Sequence, residues 1–234
     1  MPRHENARHD HHPTNRAESR TLREAAAHLR RGLRADGQDA GGLGADDDFD
    51  RPEREWQTLR EWAQDGGLIL SPDFPPPSRI GGREHDVRFD EGELLWWKYT
   101  KAHLAGYTVE FDSQAQPYLL NALPLQYLER LLLQNEVFGD DIRLQGLWQD
   151  AAGWHIVTSQ PDIAGRAATL DEIHAGMTAF GCRELPWRGI GYENSLAFQL
   201  GEIGVWDVHP ANMVVTAAGL LVPIDVIMTG QIPV

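Results

Sequence analysis

The sequence predicts a mixed α+β fold built on antiparallel strands, and three observations carry that reading. Turn-forming stretches at Asp90-Glu91-Gly92-Glu93, Asp150-Ala151-Ala152-Gly153 and Ala217-Ala218-Gly219 each separate two short apolar runs, the signature of hairpins. Leucines at helical spacing follow Pro124, and Thr169 with Glu172 forms a capping pair that opens a further helix. The composition suffices for a core: 41% of the 234 residues are hydrophobic, with 8 Trp, 7 Phe and 5 Tyr. A chain disordered throughout is thereby excluded.

Taken in order, residues 1 to about 50 read as a mostly disordered polar arm. Its ends are His-rich (His4, His9, His11, His12) and Gly/Asp-rich (Ala35 to Asp50), too polar to offset the entropy of ordering. Between them Thr21 and Glu24 suggest a cap, with Leu22, Leu29 and Leu33 on a marginal helix. Residues 51–78 form a helix from Arg51 to Gln64, with Trp56, Leu59 and Ala63 on one face, and a stiff connector, Ser71 to Ser78, containing Pro72, Pro75, Pro76 and Pro77. Beyond it, strands are expected over Arg83 to Phe89 and Leu94 to Thr100, then a helix over 123–137. Strands over Leu144 to Trp148 and Trp154 to Ser159 follow, then a helix from Thr169 to Phe180, and last the strands Met213 to Thr216 and Leu220 to Ile224.

Acidic residues number 35 against 21 Lys and Arg, a net charge of −14, and such a field repels nucleic acid. No apolar run approaches a membrane span, and the N-terminus lacks a signal peptide's apolar middle. A lone cysteine, Cys182, excludes an internal disulfide. Neither nucleic acid nor membrane is expected as a partner, and a cytoplasmic location is. Of the 21 basic residues only two are lysines, Lys98 and Lys101. A compact ammonium can pair with a carboxylate and a phosphate oxygen together, which a planar guanidinium does less readily.

The strongest chemical signal is Asp207-Val208-His209-Pro210-Ala211-Asn212, a short hairpin, and then Pro223-Ile224-Asp225. An Asp, an Asn five residues on and a second Asp thirteen beyond that, at a strand end, is how protein kinases arrange their catalytic loop and metal ligands. The first Asp reaches the attacking hydroxyl, while the Asn and second Asp converge on Mg²⁺ at the nucleotide phosphates. The remaining parts follow in order. Lys98 lies on an upstream strand, and the next helix offers Glu129 as its partner, with Glu136 as competitor. Gly81 and Gly82 stand where a phosphate-covering loop belongs, and Gln160 where a hinge would meet the base edge. Lys101 is one register out and faces away from Lys98.

Together with Gly82-Arg83-Glu84-His85-Asp86-Val87, Lys98-Tyr99-Thr100-Lys101, Ala105-Gly106-Tyr107 and Ser159-Gln160-Pro161, this block resembles the serine/threonine/tyrosine kinase domain found in polyvalent proteins of phages and conjugative elements. The resemblance covers roughly residues 78–234. It implies a kinase-like domain over 79–234, with an antiparallel N-lobe to about 160 and a reduced C-lobe after it. It also implies ATP and Mg²⁺ as cofactors, and a role in conflict between a mobile element and its host. Lys98, Glu129 and Asp207 would be catalytic; Gly81, Gly82, Lys98, Gln160, Asn212 and Asp225 would hold the nucleotide, and Asn212 and Asp225 the metal. The departures are Val205-Trp206 in place of His-Arg, Val226-Ile227 in place of Phe-Gly, and nine residues after Asp225, too few for an activation segment. Asp-x-His-Pro-x-Asn is closer to the small-molecule phosphotransferases of the aminoglycoside and choline kinase type. The expected activity is phosphotransfer to a protein or small-molecule hydroxyl, with a catalytically inactive nucleotide-binding module as the alternative.

Overall fold

The structure is a computed structural model that describes the backbone of residues 14–39 and 50–232 and the side chains of 21–33 and 50–232. The polar His-rich start and the Gly/Asp-rich stretch at 40–49 lie outside the described residues.

The middle of the expected arm is not an arm. It is helix α1 (Thr14–Asp39), and Leu22, Ala25, Ala26 and Leu29, spaced three and four apart, are at most 1% exposed. Average polarity concealed a single apolar stripe, and a stripe is all that a helix needs to dock. Helix α2 (Arg51–Asp65), opened by Pro52 in its first turn, places Trp56, Leu59 and Ala63 in the same core. Burying two such leucines contributes roughly 1.5–3 kcal/mol each.

Strands β1 (His85–Asp90) and β2 (Leu95–Thr100) pair antiparallel around Asp90, whose side chain accepts from the Gly92 and Glu93 amides. Residues 101–122, to which the sequence assigns no element, form a separate hairpin, β3 (Tyr107–Phe111) and β4 (Pro117–Asn121), turned around the Asp112 carboxylate. Helix α3 (Pro124–Phe138) follows, then β5 (Arg143–Gln149) and β6 (Trp154–Pro161). These complete a four-stranded antiparallel sheet in the order β1-β2-β6-β5. The connector closes its outer face: Phe74 packs edge-on to Trp97, and the Tyr99 hydroxyl donates to the Pro75 carbonyl at 2.6 Å.

The second half contains β7 (Gly165–Ala167), α4 (Leu170–Ala179), β8 (Arg183–Arg188), β9 (Leu196–Leu200) and β10 (Ile203–Val208). A 3₁₀ turn at Pro210–Asn212 leads into β11 (Met213–Thr216), β12 (Leu221–Pro223) and β13 (Ile227–Thr229). Sheets β13-β10-β9-β8 and β12-β11-β7 share a core around Phe198, Val205 and Met213. Thr169 caps α4 reciprocally with Glu172, as its sequence predicts. The fold is thus α+β with antiparallel sheets. No helix among the described residues is long and apolar enough to cross a membrane.

Candidate functional site

Lys98 lies on β2 between Val87 of β1 and Thr158 of β6. Strand alternation turns its side chain to the same face as Trp96 and Thr100. Its ammonium donates to the Ile224 carbonyl at 3.0 Å and to Asp225 Oδ1 at 3.3 Å. Lys101 pairs elsewhere, with Asp86, whose carboxylate also accepts from the Gly81 amide at 3.0 Å.

The loop that carries Asp207 is irregular for a reason. The β9–β10 register shifts between Val205 and Val208, and Asp207 itself is left-handed, with φ +58°. A shift of this kind re-aims a side chain out of its sheet, and Asp tolerates the left-handed region better than most residues. Asp207 Oδ1 accepts from the Tyr192 amide at 2.6 Å. Asn212 Nδ2 donates to the Asp207 carbonyl at 3.0 Å and to Oδ2 at 3.2 Å. The β11–β12 hairpin then returns the chain, and the Ile224 amide donates to the Asn212 carbonyl at 2.9 Å. Asn212 and Asp225 are thereby stitched together across thirteen residues.

Asp207, Asn212, Asp225 and Gly82 line one cavity of about 320 Å³, together with Arg83 and His209. The two aspartates differ in character. Burial raises the Asp207 carboxyl above its ordinary value, opposed by the Tyr192 amide and by His209. Burial acts in the same sense on Asp225, but Lys98, His85 and Arg130 outweigh it and hold that carboxyl well below the usual range. A larger groove, about 1180 Å³, opens between α4 and β11–β12. Its charged pair, Arg166 and Glu172, is engaged with itself. The smaller cavity, where carboxylates from separate segments converge, is the candidate site.

Glu129 is not Lys98's partner. It accepts from Arg30 Nε of α1 at 2.7 Å, with 38% of its side chain open to solvent. Glu136 lies with Arg30 and Glu129 along a groove between α1 and α3. The correction follows from α1: the Leu125 and Leu132 side of α3, which looked like the cleft face, packs in the core that α1 supplies. The face toward the cleft carries Tyr127 and Arg130, both at most 2% exposed. Arg130 pairs with Glu84, donates to the Tyr107 and Val226 carbonyls at 3.1 and 3.2 Å, and stands 3.7 Å from Asp225. The Tyr107 amide donates to Glu84 at 3.1 Å. A β-carbon on Gly106 (φ +76°) would fall 2.2 Å from that carboxylate. The site's helix therefore brings a cation, and its carboxylate comes from the loop before β1. No spacing rule pointed to Glu84 or Arg130.

The other expected residues divide. A β-carbon on Gly82 would lie 2.1 Å from the His85 carbonyl, so that tight turn requires glycine. Gly81 anchors the loop to Asp86 and does not line the cavity. Gln160 does not line the cavity, and its side chain is buried and donates to Asp140 at 2.6 Å; the hinge contact expected of it is one for backbone groups, which this bond leaves untouched. His85 is buried beside Glu84, with Nε2 2.9 Å from the Tyr127 hydroxyl, and burial lowers its proton affinity.

Glu84, His85 and Asp225 place potential ligand atoms within 4.8 Å of one another, but Glu84 is committed to Arg130 and the Tyr107 amide; Lys98 engages only Oδ1 of Asp225. Comparison with protein-family models, with curated proteins and with solved structures finds no match for the chain.

Proposed function

We propose that the chain is an ATP- and Mg²⁺-dependent phosphotransferase of kinase-like fold, acting on a hydroxyl of a protein or small molecule. The observation that carries this reading is a convergence. Asp207, Asn212 and Asp225 line one cavity, and Asn212 bonds Asp207 at 3.2 Å. Lys98, which does not itself line the cavity, reaches Asp225 at 3.3 Å from an inner strand. The order of parts supports it as well: lysine strand, helix, two strands of the same sheet, then Asp207, Asn212, hairpin and Asp225.

In this reading Lys98 neutralises the nucleotide's inner phosphates. Asp225 and the side-chain oxygen Oδ1 of Asn212 fit Mg²⁺, a hard cation that takes oxygen ligands; the Asn212 side-chain nitrogen is already committed to Asp207. Mg²⁺ would supply charge neutralisation along the phosphates. Asp207, re-aimed by its left-handed backbone, orients and accepts the proton of the acceptor hydroxyl, and its raised proton affinity suits that task.

Thermal unfolding tests the reading. A ligand specific for the folded state stabilises it by about 2.7 kcal/mol at a hundredfold excess over Kd. ATP with Mg²⁺ should raise the melting temperature by several degrees, and ATP with EDTA should not. Asp225→Ala should remove most of the shift, whereas Asp207→Asn should keep the shift and lose γ-phosphate transfer. No Mg²⁺-dependent shift in the unmodified chain sinks the proposal. One observation favours the inactive-module alternative: α3 sends Arg130, and no glutamate, toward Asp225, the residue that Lys98 holds. Binding without transfer across a broad acceptor panel would establish it.

A further inference from the structure

We propose that Arg83 is the ligand for the terminal phosphate of the nucleotide, a role that rests on the phosphotransferase reading above. The charges at the cavity are otherwise spoken for. Lys98 is paired with Asp225, and Glu84 with Arg130. Arg79 lies over the Trp96 ring, 5.4 Å from its centre. Arg83 and Arg79 both line this space with no carboxylate at ion-pair distance among the described residues, in a chain with 35 acidic side chains, but Arg79 is laid on Trp96 and Arg83 is not on a ring. Its Nη1 donates to the Gly191 carbonyl at 2.9 Å, 108 residues away. A guanidinium offers five donors in a fixed fork, so most of its capacity is unspent.

That bond sets where Arg83 stands. Gly191 has φ +104°, and a β-carbon there would lie 2.4 Å from the Asp207 carboxylate. The next amide, that of Tyr192, donates to the same carboxylate at 2.6 Å. Arg83 is thus held over the Asp207 end of the cavity, while Lys98 reaches Asp225 without itself lining the space. Arg83 lines the 320 Å³ space and Lys98 holds Asp225, one of its lining residues, an arrangement suited to a polyphosphate laid from the metal ligands toward the acceptor base. The terminal phosphoryl, which carries the most charge in transfer, meets the unpaired arginine. Guanidinium geometry matches two phosphate oxygens at once, and such charge-assisted bonds are about twice as strong as neutral ones. The glycines before it give the loop its tight turn; the arginine gives it the anion contact that a glycine loop otherwise makes with backbone amides.

The test is equilibrium titration of the full chain with Mg²⁺ and either ADP or a non-hydrolysable ATP analogue, for the unmodified protein, Arg83→Gln and Arg83→Lys. Arg83→Gln should weaken the triphosphate about tenfold, as expected for loss of one charged hydrogen bond, and weaken ADP less than about twofold on the same scale. Arg83→Lys should fall between. Equal weakening of both nucleotides, or a lowered melting temperature with an unchanged affinity ratio, would mean that Arg83 is only a strap between two loops. If the unmodified protein binds neither nucleotide, the phosphotransferase reading fails and this proposal falls with it. If it binds both and Arg83→Gln keeps their ratio, the Arg83 assignment alone fails.

Discussion

Helix α1 and the cleft are both buried, yet opposite interactions hold them. In α1, Leu22, Ala25, Ala26 and Leu29 lose nearly all their exposure to apolar neighbours on α2, α3 and β5. In the cleft the buried groups are Arg130, His85 and Tyr127, with Glu84, Lys98 and Asp225 at the edge. Apolar contacts are tolerant of partner and angle, so α1 needs only a stripe of the right width. Buried charges are not: each must meet its opposite, and losing one strands the other. The first region can be lost gradually. The second fails when one partner is removed.

Breaking the ionic region should have the largest effect. Arg130→Met leaves Glu84 without its cation and the Tyr107 and Val226 carbonyls without a donor, and removing one partner of a buried pair costs about 3–5 kcal/mol. Adding Glu84→Gln should recover a substantial part of that loss in denaturant melts, because the uncompensated charge is gone. A double variant no more stable than the single would show that Arg130 matters for packing and not for charge.

The apolar region should respond by volume. Leu29→Ala, at 1% exposure, should cost about 2–5 kcal/mol as a core truncation, with the smaller figures expected because the neighbouring Ala25 and Ala26 lie on one helix free to settle inward. A cost near zero would return residues 14–39 to the status of a detachable arm.

Within the cleft the two aspartates should respond to pH with opposite signs. The Asp225 carboxyl titrates below its unfolded value of 3.8. Its contribution is therefore present above that pH and is lost as pH falls through the folded value. Asp207 titrates above 3.8, so its contribution is present below that pH and is lost as pH rises through its folded value. Asp225→Asn should accordingly destabilise at pH 7 and matter progressively less below pH 3.8. Asp207→Asn should be neutral or stabilising at pH 7, with that gain shrinking in acid. Matching pH profiles for the two variants would contradict the environments described for them.

The Asp207–Asn212–Asp225 pattern was legible because its logic is local: the three are linked by one turn and one hairpin, and chain spacing fixes their meeting. The hairpins around Asp90, Asp150 and Gly219 were legible for the same reason. Glu84 and Arg130 were not, since they meet across 46 residues and through an element, β3–β4, that the periodicity did not announce. Glu129 was misassigned because its helix has two buried sides, and the spacing of Leu125 and Leu132 marks the one that faces α1. Only the docking of α1 on the Leu125 and Leu132 side distinguishes the two.

That misassignment yields the smallest expected effect and the finest test of the contrast. Arg30 and Glu129 are 46% and 38% exposed, and a solvent-screened pair of this kind contributes about 0–1 kcal/mol. Glu129→Gln should shift the melting temperature by less than about 2–4 °C, the change that 1 kcal/mol produces in a chain of this size, and should leave any Mg²⁺-dependent nucleotide effect intact. Lys98→Met should abolish that nucleotide effect. If Glu129→Gln weakens nucleotide binding as Lys98→Met does, then α3 must turn about its axis on binding, exchanging Arg30 for Lys98 as the partner of Glu129. Such a turn would drag Arg130 out of its contacts with Glu84 and Val226, and the Arg130→Met variant would then lose less affinity than stability. Unchanged binding in Glu129→Gln, with binding lost in Lys98→Met, leaves the cation on α3 as the group that faces the site, bound or free.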